Sequence, residues 1–487
     1  MKKIKIIIAA LGLLMFANPS IIKAQNEIEA LRYSQMYWGG TARFLGTGSS
    51  MGAVGADPSA ISVNPASMGI YRKSDLSISP TIQYSKNLAS HLGSEFAEDF
   101  KYNFNINNLG MVFTGQVGSN HSDRPQWKYI QFGMGINRLA NYHSNSLIEG
   151  FNDRGSILDQ YVDYANGYSP EYLGDFDTWL AYEAYLIDPI DTILNLYSGV
   201  IPNGGVQQRK IINTKGSMNE WYFALSGNYN DKLFVGATLG LPYFSYSEHS
   251  QHIEEDINDT IARFQSLSIS DDLKTSGSGV NFKLGFLYRP IEYVRFGGAI
   301  HTPSFFYRIN DRFSRTIQSN VDGLNRKQVS DVLDYRYEIN TPLRLMGNFA
   351  FQYKTLGFIG IDYEYVDYSK TRMRASDFSF FNENNAIKDK YQSAHVIRVG
   401  GELNLSPMAL RLGYNYYTNP FKSSVNDASR SSISAGLGFR SEVAYLDFAY
   451  IYTMAKEDFY LYSPNYIDAS KMESIRSNFV LTLGFRF

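Results

Sequence analysis

The chain has 487 residues, a formal net charge of −2 and no cysteine. The near-neutral balance offers nothing to a polyanion such as nucleic acid, and the missing thiols exclude disulfides, thiolate metal sites and thiol catalysis. Tyrosine (37) and phenylalanine (32) far outnumber tryptophan (4) while the chain is slightly polar on average, a balance that suits sheets with one aromatic apolar face and one polar face.

Residues 1–24 read as a secretory signal peptide. Lys2, Lys3 and Lys5 precede the apolar run Ile6–Ala17, and Ala24 offers a cleavage point before Gln25, with Ile22 at the less usual −3 position. The run is too short for a spanning helix, which needs about 20 apolar residues.

Residues 25–73 follow. "GTGSSMG" carries Gly46, Gly48 and Gly52 like a phosphate-binding loop, but no apolar strand precedes it. "GADPSAISVNPASMG" (Gly55–Gly69) has one charge, Asp57, and two X-Pro steps, Asp57-Pro58 and Asn64-Pro65. It is too broken for a helix and alternates too little for a strand. The segment is expected to act as a plug, with Asn64 bonding to wall backbone.

Period-2 segments then dominate. Candidate strands fall at 74–84, 102–115, 127–140, 217–229, 232–248, 276–289, 292–308, 336–354, 356–369, 394–405, 408–418, 431–440, 443–456 and 474–487. In the last, Phe479, Leu481, Leu483, Phe485 and Phe487 share one face, while Asn478, Thr482, Gly484 and Arg486 share the other. In "FIGIDYEYVDYS" the face bearing Asp362 and Glu364 is assigned to the inside, since charge facing lipid is costly.

Connections alternate. Short ones (116–126, Asn230-Asp231, Pro290-Ile291, Lys354-Thr355, Ser406-Pro407, Ser441-Glu442) separate long ones (85–101, 141–216, 249–275, 309–335, 370–393, 419–430, 457–473). An even number of antiparallel strands with every long loop at one end predicts an all-β, fourteen-stranded transmembrane barrel over 74–487, its long loops extracellular and both termini periplasmic. Fourteen strands are too many for wall side chains alone to fill the bore, so residues 25–73 are expected to stopper it.

The 141–216 insertion is partly helical in pattern. Ile157, Leu158, Tyr161 and Ala165 recur at helical spacing before Gly167; two further short helices are expected around Pro189, stopping at Gly199. Trp179, Tyr182, Tyr185 and Leu186 are candidates for an aromatic vestibule, or for the core of a cap that packs on itself. Two glycines in the third strand, Gly133 and Gly135, suit a kink or simply a crowded inner face. "EHSQHIEED" reads as a solvated loop tip; His249 and His252 are its only candidates for a metal or an iron porphyrin. His143, Ser144 and Asn145 are adjacent on one loop and do not form a hydrolytic constellation. No cofactor and no enzyme activity are expected.

"DPSAISVNPASMGIYR", with Asn64, Pro65 and Ala66 at its core, resembles the N-terminal hatch signature of FadL-type outer-membrane transporters of long-chain fatty acids and other hydrophobic compounds. Similarity continues through "GFLYRP", "TPLRLMGNFAFQYK", "GIDYEYVDYS" and "ALRLGYNYYTNP". The resemblance implies a monomeric barrel amid outer-membrane lipid and lipopolysaccharide. A hydrophobic ligand would pass from an extracellular groove to an internal pocket, and leave sideways near a kink of the third strand once the hatch moves. The longest insertion follows the third strand, where the family pattern does not place it. Two alternatives stand beside transport: a barrel serving as protein partner in a secretion or surface-attachment complex, and a hemin receptor.

Overall fold

The computed structural model describes residues 27–117, 126–423 and 426–487; the expected signal peptide, 1–24, lies outside them. Fourteen strands form the wall: β1 Asp75–Ser90, β2 Ala97–Gln116, β3 Trp127–Asn141 continued by Ser144–Asn152, β4 Val206–Tyr229, β5 Leu233–Glu255, β6 Phe264–Ile291, β7 Val294–His301 continued by Phe305–Val321. Next come β8 (Leu324–Val329, Leu333–Asn340 and Arg344–Tyr353), β9 Gly357–Asp367 with Arg372–Arg374, β10 Ser393–Leu405, β11 Met408–Tyr417, β12 Arg430–Arg440, β13 Ala444–Phe459 and β14 Ser470–Arg486. Each pairs antiparallel with the next, and β14 pairs with β1, closing the barrel. Phe487 and Ser74 exchange backbone bonds at 2.9 and 3.1 Å, so the first and last strands meet at the short-turn end.

Alternation sets the faces. On β14, Phe479, Leu481, Leu483 and Phe485 are exposed outward, while Val480 and Thr482 are buried within. On β9, Ile359, Ile361 and Tyr363 face out, and Asp362 and Glu364 are buried. The inward Glu364 takes guanidinium contacts from Arg344 of β8 and Arg398 of β10, which neutralise it across neighbouring strands.

Strands reach further than alternation indicated. β6 has 28 residues and β5 has 23, against about 9–11 needed to cross a bilayer. Much of the expected loops 249–275 and 309–335 is therefore strand, and "EHSQHIEED" lies mostly on β5 rather than at a loop tip. The 141–216 insertion likewise begins and ends as paired strand, Ser144–Asn152 against 206–214 of β4. Polar residues on both faces erase the apolar contrast there, although the ladder continues.

Residues 153–205 form a cap. Helix α3, Ile157–Ala165, is opened by a Ser156–Asp159 capping box and buries the four residues expected of it. Helix α4 is Thr178–Glu183. The expected helix after Pro189 is instead a hairpin, Ile187–Asp191 against Leu196–Gly199. Pro189 disfavours helix there, Asp191 Oδ1 turns the chain by accepting the Ile193 and Leu194 N–H groups, and Asn195 adopts φ +51°. Among described residues no helix is long and apolar enough to cross a membrane.

Candidate functional site

The N-terminal segment is built from short pieces that proline and small residues allow. Helix α1, Glu27–Ser34, places Glu27 and Glu29 in its first turn and Arg32 in its last, matching the helix dipole. A one-turn helix, α2 (Ala42–Gly46), is capped by the Thr41 hydroxyl. Then the two X-Pro steps repeat one device. Asp57 Oδ1 accepts the Ser59 N–H at 2.9 Å and Asn64 Oδ1 accepts the Ala66 N–H at 3.0 Å, each starting a 3₁₀ turn with proline in its first position.

These pieces bond to inward-facing wall groups around the ring. The Ala42 N–H donates to Thr482 Oγ1 at 2.7 Å, the Gly48 N–H to Ser434 Oγ at 3.1 Å and the Gly52 N–H to Asp362 Oδ2 at 2.8 Å. Asn64 Nδ2 donates to the Phe286 carbonyl at 3.2 Å and to Asn348 Oδ1 at 2.9 Å. Pro65 and Ala66 lie against Gly236 of β5, where a Cβ would come within 2.5 Å of Pro65 O. Gly360 and Gly400 make similar slots: a Cβ on either would stand 2.0 or 2.1 Å from the carbonyl oxygen of Ser50 or Thr47. The wall thus leaves room for segment backbone where a side chain would collide. Gly46 and Gly48 of the glycine-rich stretch spend their backbone groups on Ser434 of β12.

Other ladders bulge at single points, as at Ser79/Pro80 and Phe306/Arg308, but between β2 and β3 the strands part. Their ladder runs from Gln116↔Tyr129 to Asn108↔Asn137 and stops. Above it, residues 97–106 of β2 pair with β1 alone. Strand β3 shifts register against β4 at Arg138/Ala140, breaks at Tyr142-His143, and continues inside the barrel. There Asn87, on the inner face of β1, donates to Ser144 Oγ at 2.7 Å and Ser146 Oγ at 3.0 Å. The upper part of β3 has therefore slipped behind β2 to reach β1. Lys101 Nζ and Asn103 Oδ1 of β2 meet Asn145 Oδ1 and Asn141 Nδ2 across the gap, each at 3.0 Å. Outside, Phe100, Tyr102, Phe104 and Ile106 stay exposed along β2.

Gly133 and Gly135 do not mark this break; the ladders on both sides of them are unbroken. A Cβ at Gly133 would lie 2.5 Å from Met68 Sδ of the segment, and one at Gly135 2.3 Å from Leu109 O of β2. Their small size answers crowding. The irregularity lies five to ten residues further on, where no glycine announces it.

Where the β2–β3 ladder ends, a cavity of about 100 Å³ opens between wall and segment, lined by Tyr37, Trp38, Asn107, Arg138, Arg430 and Arg476 among others. The Arg430 guanidinium lies 3.8 Å above the Tyr37 ring, which meets Tyr417 edge-on at 5.4 Å. The Nε atoms of Arg138, Arg430 and Arg476 are buried without a hydrogen-bond partner. Three cations beside the Tyr37, Trp38 and Tyr417 rings, with Asn107, Asn415 and Asn478 among the lining, suit the acidic head of a molecule. Single arginines on three separate strands carry no local sequence signal, which is why they escaped notice.

The vestibule candidates do not converge. Leu186 is buried in the cluster joining the cap to β6 and β7, with Trp179 and Tyr182 packed on its flank. Tyr185 faces outward at 47% exposure beneath the Arg326 guanidinium. His249 and His252 lie on opposite faces of β5 and cannot share an ion. His249 is exposed beside Asp272, at 2.9 Å, while His252 is buried and its Nε2 lies 3.0 Å from Glu254 Oε1. Glu254 also accepts the Ile157 N–H at 3.0 Å and a Gln208 Nε2 bond at 2.7 Å; Gln208 Oε1 lies 3.2 Å from His91 Nε2. This buried polar network seats the start of α3. His91 and His252 bond within this seat. Among described residues no cluster of three or more His, Asp or Glu could hold a metal. His143 Nδ1 lies 2.9 Å from Asn141 Oδ1.

No protein-family model and no curated protein matches the chain. Solved structures do match it. A Pseudomonas aeruginosa FadL homologue is 12% identical, with TM-score 0.56, over 93% of this chain and all of that one. The Pseudomonas putida toluene transporter TodX is 12% identical with TM-score 0.53, over 93% and 99% of the two chains. The Ralstonia pickettii toluene transporter TbuX is 14% identical with TM-score 0.51, over 92% and 98%. In fold, then, the chain is a FadL-type fourteen-stranded barrel.

Proposed function

We propose that this protein is a FadL-type outer-membrane channel for passive uptake of hydrophobic small molecules, working as a monomer with residues 25–73 as its hatch. The observation that carries the reading is the break between β2 and β3 with a cavity at its foot. A solute held there has a sideways route to lipid that avoids the polar bore. Burial drives the capture, since each CH₂ removed from water gains about 0.8 kcal/mol. Arg138, Arg430 and Arg476 favour an amphiphile with an acidic head over a neutral hydrocarbon. Long loops would face outside and both termini the periplasm.

The test is uptake of a labelled long-chain fatty acid, with toluene for comparison, by proteoliposomes holding the purified protein. The expected result is protein-dependent fatty-acid entrance, weakened by Arg138→Gln and Arg476→Gln together. Absence of binding and uptake for both solutes overturns the proposal. A second reading, docking to a protein partner, is favoured by the cap's hairpin tip, where Ile190, Ile193 and Leu194 are 68%, 89% and 62% exposed. A partner co-purifying in fixed proportion, together with a bore that stays shut, would favour it.

A further inference from the structure

The short-turn end holds a second pocket, of about 280 Å³, between the wall and the bend at Val54–Ala56. Its charged lining is one-sided. Arg295, Lys354 and Arg440 from β7, the β8–β9 turn and β12 join Arg43 of the segment, against the single carboxylate of Glu402. That carboxylate is already engaged. It accepts from Arg43 Nε at 2.9 Å, Arg411 Nε at 2.7 Å and Arg440 Nη2 at 3.0 Å. Asp447, behind it, lies 2.7 Å from Arg411, and Asp57 is taken by the Thr41 hydroxyl and the Ser59 N–H.

Arg295 is only 8% exposed, and its one bond is from Nη1 to the Val54 carbonyl at 2.8 Å. Its Nε, and that of Arg440, are buried without partners. An unpaired buried guanidinium group is costly unless an acceptor meets it. Guanidinium forks match the planar or tetrahedral oxygens of an oxyanion, and a nearby ammonium adds charge.

We propose that this pocket binds a phosphate-type oxyanion that clamps the N-terminal segment to the wall. The clamp follows from ownership of the cations: Arg43 belongs to the segment, the others to the wall. Arg43 Nη1 already holds the Ala56 carbonyl at 3.1 Å, so an anion drawing Arg43 and Arg295 together fixes both sides of the bend. Gly55 and Ala56 there adopt φ +70° and +53°. The inference does not depend on what the barrel conducts.

The experiment uses the purified full-length mature protein in neutral detergent, titrated with inorganic phosphate against chloride at matched ionic strength. Thermal unfolding and protease cleavage within residues 27–73 are followed. Phosphate is expected to raise the unfolding temperature and slow cleavage. Arg295→Gln and Lys354→Gln should each weaken the apparent affinity at least tenfold, while Lys73→Gln, at the same end outside the pocket, keeps it. Lys354 is an exposed side chain, so its variant carries the test if Arg295→Gln fails to fold. No response beyond chloride, or an undiminished response in Lys354→Gln, overturns the proposal. A parallel titration with dihexanoyl phosphatidic acid below its micelle concentration separates sources. Affinity tenfold above that of phosphate assigns a lipid headgroup; equal or weaker affinity assigns the free ion. Either supports the site.

Discussion

The N-terminal segment and the 153–205 cap are both irregular structures fastened to the same barrel, each by polar bonds laid over an apolar cluster, but the segment gives backbone donors to the wall while the cap takes most of its polar bonds from wall side chains. Over residues 41–69 the segment gives backbone N–H groups to Thr482, Ser434 and Asp362, and Asn64 Nδ2 to Asn348 and the Phe286 carbonyl, while Phe44, Met51, Val54 and Val63 share a buried cluster with Phe234, Leu287, Met346 and Phe358 of the wall. The cap packs Ile157, Leu158, Leu180 and Leu186 against Phe264, Leu267, Ile269, Ile317 and Val321, and takes polar bonds from wall side chains: Ser319 Oγ to the Ala184 carbonyl at 2.6 Å, Glu254 accepting the Ile157 N–H at 3.0 Å and Arg315 Nη1 to the Phe176 carbonyl at 3.3 Å. A polar attachment in a wet bore can exchange its partners for water at a net cost of about 0.5–1.5 kcal/mol per hydrogen bond. An apolar one exposes its whole contact area at once. In the proposed channel, movement of the segment would break these polar bonds and part the apolar cluster behind them.

The comparison can be broken most plainly by deleting residues 25–73 behind a retained signal sequence. Single-channel recordings in planar bilayers should show a closed wild type and an open, ion-conducting variant; equal conductance would mean that the segment does not seal the bore. Next in size is a cross-link. Asn103 and Asn141 bond across the β2–β3 gap, and the chain has no cysteine of its own. Asn103→Cys with Asn141→Cys should lose most solute uptake under oxidation and regain it with reductant, without leak. If uptake is unchanged when the cross-link is complete, the sideways route is not used.

Smaller effects sharpen the contrast. Gly360→Val pushes a side chain toward the Ser50 carbonyl and should raise leak and protease access to the segment. Leu180→Ala should cost the cap about 2–5 kcal/mol, seen as faster cleavage within 153–205, with conductance unchanged.

The smallest effect is in pH, with opposite signs for the two attachments. Burial, and then the neighbouring Asp311, push the Glu29 carboxyl of α1 well above its usual 4.5, against the pull of Arg32 and a Tyr337 bond. The folded state holds that proton more tightly, so the stability it contributes is complete at low pH and drains away as pH rises past 4.5. Burial pushes His91 below its usual 6.5, with His252 acting in the same sense and Gln208 and Asp468 against. Its contribution is complete above 6.5 and is lost as pH falls. Protease access should therefore grow at α1 on raising the pH and at the cap seat on lowering it, and Glu29→Gln should flatten the first trend alone.

Much of this was written in the residues. Lipid-facing strands show as alternation because their two faces meet solvents of different polarity, so Phe479–Phe485 and Asp362–Glu364 could be sorted by eye. The helix at 157–165 was visible for the same reason. The upper strands were not, since both faces of a stretch such as His249–Glu255 carry polar groups. Asn64-Pro65 declares a turn, yet its wall partners, Phe286 and Asn348, lie more than two hundred residues away. The cavity arginines sit on strands far apart in the chain and meet only through closure. The displaced end of β3 rests on Asn87 and Ser144–Ser146, ordinary polar residues whose meaning comes from register.

The height of the barrel has a consequence of its own. At about 3.3 Å per residue and a tilt near 40°, the 28 residues of β6 rise roughly 70 Å, against an apolar band of about 25 Å on such barrels. The wall is tall on one flank only, since β11 and β12 have 10 and 11 residues. Were the barrel to take up hydrophobic solutes as proposed, a solute entering along that flank would pass protein for a distance greater than the bilayer's oily interior before meeting residues 27–73.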